Sequence, residues 1–212
     1  MSHSANNINS ICLLRLSAIG DVCHAVATLQ AIQRTHPNAK ITWVIGKIEA
    51  RLLVNLPNVE FIEFDKRAGL KGYRDLYQKL NNRRFDVLLH MQVALRASLA
   101  TLCIRAKQKW GFDRVRAKEG QWIFTNRKIQ PQKNPHVVDG FFAFAKALGT
   151  PDNEMPKWDM PVPHEHKEWA DKLLGEDKYM VISPAASKAE RNWLVERYAE
   201  ASDYAIENGL KV

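Results

Sequence analysis

The sequence predicts an α/β protein built around a mostly parallel, twisted sheet. Short apolar runs alternate along the chain with segments whose apolar residues recur every three or four positions, which is typical of strands alternating with amphipathic helices. The first apolar run, residues 11–14, leads through the tight turn 15–21 into such a helix. A strand followed by a helix and another strand forms a right-handed crossover unit, so the strands are expected to be parallel.

The elements of the first 149 residues follow from this pattern. We predict strands over 11–16, 41–46, 59–64 and 85–91, and helices over 22–35, 47–54, 72–82 and 94–105. Beyond Arg105 the periodicity weakens in a basic stretch that contains aromatic residues. A helix then returns at 136–149, where Gly149 provides a natural C-terminal stop.

Proline marks the expected boundary between two domains. Four prolines fall within residues 150–163, which indicates a linker between a first domain, 1–149, and a second, 164–212. The second domain is predicted to contain a helix at 164–174, a strand at 179–183, a helix at 194–207 and a last strand at 210–212. We expect that last strand to lack a pairing partner and the second domain to be incomplete.

Charge is unevenly distributed along the chain. The chain has a formal net charge of +8, with nine basic against two acidic residues in 105–133 and seven against two in 65–84. Such stretches favour an anionic partner, such as a phosphorylated substrate, an anionic lipid or a nucleic acid, or else they are solvated helix faces. No apolar stretch approaches the roughly 20 residues of a membrane span, and no secretory signal is evident. The three widely spaced cysteines are expected to be reduced thiols in a cytosolic protein.

Asp21 is the candidate catalytic residue of the first turn. It lies where a strand passes into a helix, and open α/β sheets bind their ligands at this edge. Gly20 is expected to permit the turn. Asp21 is either a carboxylate that caps the helix start or a general base for attack on an electrophilic carbon. The turn lacks the glycines of dinucleotide-binding and P-loop motifs, and the sequence has no metal-binding motif.

Several motifs occur in the order found in one enzyme family. They are the Ser17–Asp21 turn, Pro37–Ile41, Phe85–Val87, Gly111–Asp113, Asn126–Lys128, His136 at a helix start, the small-residue loop Ser183–Ser187, and Arg191–Trp193. In these the chain resembles the lipopolysaccharide heptosyltransferases of glycosyltransferase family 9, and heptosyltransferase I in particular. The resemblance extends over nearly the whole chain.

The resemblance implies a GT-B architecture of two Rossmann-like domains and an inverting transfer of heptose from ADP-heptose to Kdo-lipid A. It assigns the general base to Asp21. It implies that Ser187 and Arg191 bind the donor. Without the resemblance, Ser187 would be interpreted as a loop-capping residue and Arg191 as a surface cation. The residues expected to bind the acceptor are Lys66, Arg67, Lys118 and His136. It implies no cofactor and no metal.

The expected enzyme is a cytoplasmic monomer, peripheral to the inner membrane of a Gram-negative bacterium, with no nucleic acid partner. The family's later Asp-Thr-Gly loop and histidine are missing here, so these 212 residues by themselves are expected to show weak transfer or none. The alternative is a non-catalytic basic module that binds anionic lipid or nucleic acid. In that case Trp110, Trp122 and Phe124 would stack on bases, unless these aromatics belong to the core.

Overall fold

The structure, a computed structural model, describes residues 8–132, 136–186 and 188–212. It divides into a unit that runs through Pro161 and a smaller unit, 162–212. The first unit holds a six-stranded sheet in the order β3-β2-β1-β4-β5-β6, and every neighbouring pair is parallel. Its strands are β1 (Ser10–Leu14), β2 (Lys40–Gly46), β3 (Glu60–Phe64), β4 (Phe85–His90), β5 (Ala106–Gly111) and β6 (Arg127–Lys128).

In the described parts of the chain, five α-helices belong to the first unit and two to the second. They are α1 (Ile19–Thr35), α2 (Lys47–Leu53), α3 (Leu70–Leu80), α4 (Leu95–Ala100) and α5 (Val137–Ala147), then α6 (His164–Leu174) and α7 (Val195–Glu207). The predicted α/β class with a parallel sheet is confirmed. The first four strands and the helices between them lie within a few residues of their predicted bounds.

Helices cover both faces of the sheet, so side chains that point to either side of a strand are buried. Ile11 and Leu13 face a core that includes apolar side chains of α1 and α5. Cys12 and Leu14 face a second core with α3 and α4. Burial strongly raises the pKa of the Cys12 thiol, which therefore stays protonated as a core side chain. The sheet edge that carries the first turn is thus held between two packed helical layers.

The sequence prediction was wrong between residues 94 and 128. The helix predicted to reach Arg105 ends at Ala100 and passes through a short 3-10 turn, Thr101–Cys103. β5 and β6 were not predicted, because they are polar and short and lack an alternating apolar pattern. Each is defined by its pairing with a neighbouring strand: β5 pairs with β4, and β6 pairs with β5.

The proline-rich segment packs against α1 for much of its length. Thr150 is buried, and its Oγ1 lies 2.9 Å from Oγ1 of Thr35. Further along, the Trp158 indole donates to the Cys23 carbonyl oxygen at 2.9 Å, and the Asp159 backbone N–H donates to Gln30 Oε1 at 2.9 Å. Most of the segment expected to be a linker is therefore attached to the first unit.

The second unit has little core of its own. Among its described residues only Ala205 is buried. The strand predicted at 179–183 is reduced to one parallel bridge between Tyr179 and Lys211. The expectation that 210–212 has no pairing partner was wrong, because the Met180 N–H donates to the Lys211 carbonyl oxygen at 2.7 Å.

Candidate functional site

Asp21 lies at the carboxyl edge of the sheet, in the first turn of α1. Its side chain is about one-third exposed. Oδ2 accepts the Ala18 N–H at 3.4 Å, which satisfies a free donor at the helix start, and it also forms an ion pair with Arg15. Within the described chain no hydrogen bond reaches Oδ1. The carboxylate thus caps the helix through one oxygen and leaves the other oxygen available to a ligand.

Arg15 is a buried cation directly beneath Asp21. Its Nη1 donates to the Met91 carbonyl oxygen at 2.7 Å, and its guanidinium lies 5.1 Å from the centroid of the Phe141 ring. Burial lowers the pKa of Arg15, and the neighbouring Asp21 opposes that shift. A buried charge is tolerated only beside a counter-charge, so Asp21 has a structural role as well. The sequence reasoning did not select Arg15, although a basic residue directly after an apolar strand is a usable signal.

A cleft of about 440 Å³ lies beside the turn that precedes α1. It is lined by Leu16, Ser17, Lys66, Gln92, Ala94, Leu95, Arg96 and Glu119. Lys66 was selected from the sequence, whereas Arg96 was not. The cleft therefore contains two cations and one carboxylate, next to the turn that carries Asp21.

Hydrogen bonds from surrounding loops hold the walls of this cleft. Leu16 N–H donates to Gln92 Oε1 at 2.7 Å, and Leu95 N–H donates to Glu119 Oε2 at 2.7 Å. The single carboxylate of Glu119 offsets only one of the two positive charges in the lining. The arrangement suits an anionic ligand.

The turn before α1 does not require glycine at position 20, contrary to the expectation from the sequence. It lies within α1, it is absent from the glycines with positive φ, and a Cβ added there would meet no atom within 4 Å. The expectation that Gly20 permits a turn that other residues resist was therefore wrong. The space that a side chain would fill is open instead.

His136 lies at the start of α5, near the start of α1. It is exposed, and its ring lies 6.5 Å from the ring of His24, centroid to centroid. The Val138 N–H donates to Nδ1 of His136 at 3.2 Å, so this side chain caps α5. His24, three residues after Asp21, is half-buried and was not selected from the sequence.

His90 lies at the end of β4 and is fully buried. Its Nε2 lies 3.0 Å from Oγ of Ser98. Burial, and then the charges of Arg15 and Lys109, lower the pKa of His90 to about 3. It is neutral near pH 7 and adds no charge beneath the site.

The remaining predicted site residues are more dispersed. Arg67 is exposed, and its N–H donates to Asp65 Oδ1 at 2.8 Å in the turn before α3. Lys118 is exposed next to Glu119. Arg191 ends a 3-10 turn in the second unit and is exposed, whereas Ser187 lies outside the described residues.

A second basic concavity of about 510 Å³ lies beyond β5. Its lining includes Phe112, Arg114, Ala117, Trp122, Thr125, Asn126, Arg127 and Lys128. Trp122 is 60% exposed, so it is not a core residue, whereas Trp110 and Phe124 are half-buried. The basic residues of 105–128 are thus partly gathered around one aromatic surface.

Neither a membrane-spanning helix nor a metal cluster is evident in the described parts of the chain. No helix there is both long enough and apolar enough to cross a bilayer. No group of three or more His, Cys, Asp or Glu residues is placed to hold a metal ion.

The comparisons with known proteins all indicate the same family. The sequence profile of glycosyltransferase family 9 (heptosyltransferase) matches residues 73–212. The lipopolysaccharide core heptosyltransferase OpsX of Haemophilus influenzae is 47% identical over 204 residues, which are 96% of this chain and 58% of that protein. The chain thus spans less than two-thirds of the length of this relative.

Two solved structures share the fold. A family 9 glycosyl transferase from Veillonella parvula has a TM-score of 0.81 at 20% identity, over 97% of this chain and 63% of that one. The Escherichia coli heptosyltransferase WaaC, solved with ADP-2-deoxy-2-fluoro heptose, has a TM-score of 0.77 at 21% identity, over 95% of this chain and 67% of that one. These likenesses agree with the expected GT-B fold class.

Proposed function

Because the chain belongs to glycosyltransferase family 9, we propose that it provides the acceptor side and the beginning of the donor side of a heptosyltransferase in lipopolysaccharide core synthesis. One observation carries the proposal. Among the residues that the structure describes, no side chain or backbone group donates a hydrogen bond to Oδ1 of Asp21, which lies at the carboxyl edge of a parallel sheet beside a cleft that contains Lys66 and Arg96. A base next to a cationic cleft fits an anionic acceptor with a reacting hydroxyl group.

The proposed chemistry is a single displacement with inversion. Oδ1 of Asp21 takes the proton of the acceptor hydroxyl while the hydroxyl oxygen forms a bond to the anomeric carbon of heptose. The bond from that carbon to the diphosphate breaks, and its electron pair leaves with ADP. Positive charge develops on the sugar in such a transition state, so concerted proton transfer to a carboxylate is effective.

We assign the substrates by charge and by family. The donor is ADP-heptose, in keeping with the ADP-heptose analogue in the WaaC structure. The acceptor is Kdo-lipid A, whose carboxylates and phosphates Lys66, Arg67, Arg96 and Lys118 would bind. Arg191 and Ser187 would contact the donor diphosphate and stabilise the departing charge. Such an enzyme would work at the cytoplasmic face of the inner membrane.

Replacement of the base tests this proposal. A chimaera in which this chain replaces the matching part of the H. influenzae heptosyltransferase is assayed for heptose transfer from ADP-heptose to Kdo-lipid A. Asp21→Asn is expected to lower kcat by about 10²–10⁴-fold, the usual contribution of a general base. The asparagine keeps a hydrogen-bond acceptor for Arg15, so loss of folding is minimised.

Asp139→Asn is the matched control. Asp139 occupies in α5 the same first-turn position that Asp21 occupies in α1, and it lies outside the cleft. It should leave kcat unchanged. Transfer that survives Asp21→Asn would contradict the assignment of the base. An unaltered chimaera that transfers no heptose would instead favour the non-catalytic module.

A further inference from the structure

Two histidines lie close together near the starts of α1 and α5, and one of them is a single helical turn beyond Asp21. His24 follows Asp21 by three residues on α1, and residues three apart on a helix are surface neighbours about 5–6 Å apart at Cβ. The ring of His24 meets that of His136 edge to face, at 69° and 6.5 Å between centroids. The packing of α1 against α5 thus brings the imidazole of His136 to that of His24, one helical turn from Asp21.

The cap of α5 determines which nitrogen of His136 carries the proton. Nδ1 accepts the Val138 N–H at 3.2 Å, and a nitrogen that accepts a hydrogen bond has no proton of its own. The ring proton is therefore on Nε2, which becomes a donor. His136 is exposed, so this donor is available to a ligand.

His24 has unused hydrogen-bonding capacity. Within the described residues its side chain forms no hydrogen bond, although it is half-buried. A partly buried imidazole without a protein partner can both donate and accept, as a sugar hydroxyl also can. It also lies in the helical turn directly after the one that contains Asp21.

The different groups around Asp21 would bind different parts of a ligand. Lys66 and Arg96 suit carboxylate or phosphate, whereas imidazole nitrogens that donate and accept hydrogen bonds suit hydroxyl groups. An acidic sugar has both kinds of group. A hydroxyl that attacks a carbon must also be held in line with its base, which requires contacts besides those of the base itself.

We propose that His24, together with His136, binds hydroxyl groups of the acidic acceptor sugar and orients the attacking hydroxyl toward Oδ1 of Asp21. The inference rests on the proposed heptosyltransferase function. It adds His24 as a residue that contacts the acceptor and assigns to His136 the role of a hydroxyl donor through Nε2.

Kinetics of the chimaera test the role of His24. His24→Ala is expected to raise KM for the acceptor and lower kcat, with kcat/KM reduced about tenfold, which is the usual size for one hydrogen bond to a hydroxyl group. KM for ADP-heptose should not change. His24→Gln retains a donor and an acceptor and should restore part of the loss, whereas a purely structural role would not predict that rescue.

His36→Gln is the control variant. His36 follows the last turn of the same helix, and its Nε2 lies 2.7 Å from the Leu148 carbonyl oxygen. It should leave both KM values unchanged. An acceptor KM that is unaltered by His24→Ala, in a chimaera that Asp21→Asn inactivates, would overturn the inference and leave the proposed function intact.

Histidine NMR signals of the 212-residue chain provide a test without turnover. Titration with Kdo is expected to shift the imidazole signals of His24 and His136 and to leave those of His36 in place. If the unaltered chimaera transfers no heptose, the proposed function fails and the orienting role of His24 fails with it; the titration then tests only whether the two histidines bind the acidic sugar. Shifts confined to His24 and His136 would then support binding, and unshifted signals would overturn it.

Discussion

Loss of the ion pair between Arg15 and Asp21 would affect the two side chains differently. Only 11% of the Arg15 side chain is exposed, against 35% of the Asp21 side chain. Water can therefore replace Arg15 as a partner of the carboxylate, but it cannot readily replace Asp21 as a partner of the guanidinium. The pair fixes the orientation of the candidate base: Oδ2 faces the protein and Oδ1 is left free.

We predict that Asp21→Asn lowers the free energy of unfolding by about 2 kcal/mol, because it leaves a buried cation without a counter-charge. Arg15→Met combined with Asp21→Asn should cost less than the sum of the two single changes. Urea unfolding of the four proteins in this double-mutant cycle measures the coupling. Strict additivity would show that the ion pair contributes no stability.

His90 predicts a dependence of stability on pH. Its pKa falls from 6.5 to about 3 on folding, so below pH 6.5 the unfolded chain takes up a proton that the folded chain refuses. The contribution of the neutral His90 ring to the free energy of unfolding is fully present above pH 6.5, and it is lost as the pH falls from 6.5 toward 3. The loss should be about 1.4 kcal/mol per pH unit over that interval.

Urea unfolding at pH 7 and pH 5 tests this dependence. His90→Asn, which does not titrate there, should lose about 2 kcal/mol less than the unaltered chain between the two values. His166→Asn is the control, since that side chain is 69% exposed in the second unit. An equal loss in His90→Asn and the unaltered chain would contradict the prediction.

The position of the site depends on a close backbone contact between β2 and the segment that follows β1. The Gly46 N–H donates to the Leu16 carbonyl oxygen at 3.0 Å, directly before the turn that leads to Asp21. A Cβ at Gly46 would overlap both that carbonyl oxygen and the Glu49 carboxylate. The close approach of these two backbones therefore requires glycine, although its φ of −72° does not.

We predict that Gly46→Ala destabilises the protein by about 1–3 kcal/mol, because a backbone oxygen would have to move. Gly20→Ala is the matched control: it meets no atom within 4 Å and should keep or raise stability by up to about 1 kcal/mol, since alanine favours helix. Thermal unfolding compares the two variants. A Gly46→Ala protein as stable as Gly20→Ala would refute the steric argument.

At the scale of the whole molecule, the excess of positive charge favours anionic surfaces. Exposed basic residues such as Arg127 and Lys128 lie around one concavity, within a chain of net charge +8. Attraction between exposed charges is screened over about 8–10 Å at physiological salt. Such a surface is expected to attract an anionic membrane.

We predict that the chain sediments with phosphatidylglycerol vesicles at about 50 mM salt and is released at about 500 mM, since added salt screens the attraction. The double variant Arg127→Glu, Lys128→Glu should weaken binding, whereas Lys167→Glu, Lys172→Glu on α6 should weaken it less. Binding that is independent of salt would contradict an electrostatic association. Stronger retention by single-stranded DNA than by the vesicles would favour the nucleic acid alternative.

The elements that could be predicted are those with a local pattern. The apolar run of β1 and the periodicity of α1 are properties of neighbouring residues, and both elements are present close to their predicted bounds. β5 and β6 have no such pattern and were missed. They become strands because β4 offers an edge for pairing, a condition that their own residues do not encode.

Residue order and local periodicity are sufficient to predict the α/β class, the position of Asp21 after the first strand and the family resemblance. The folded chain was needed to show that Arg15 is buried beside Asp21, that Arg96 lies in the same cleft as Lys66, and that the ring of His24 contacts that of His136. His24 and His136 are far apart in the sequence. Contacts at such separations arise from packing of α1 and α5 on one face of the sheet, which no local pattern specifies.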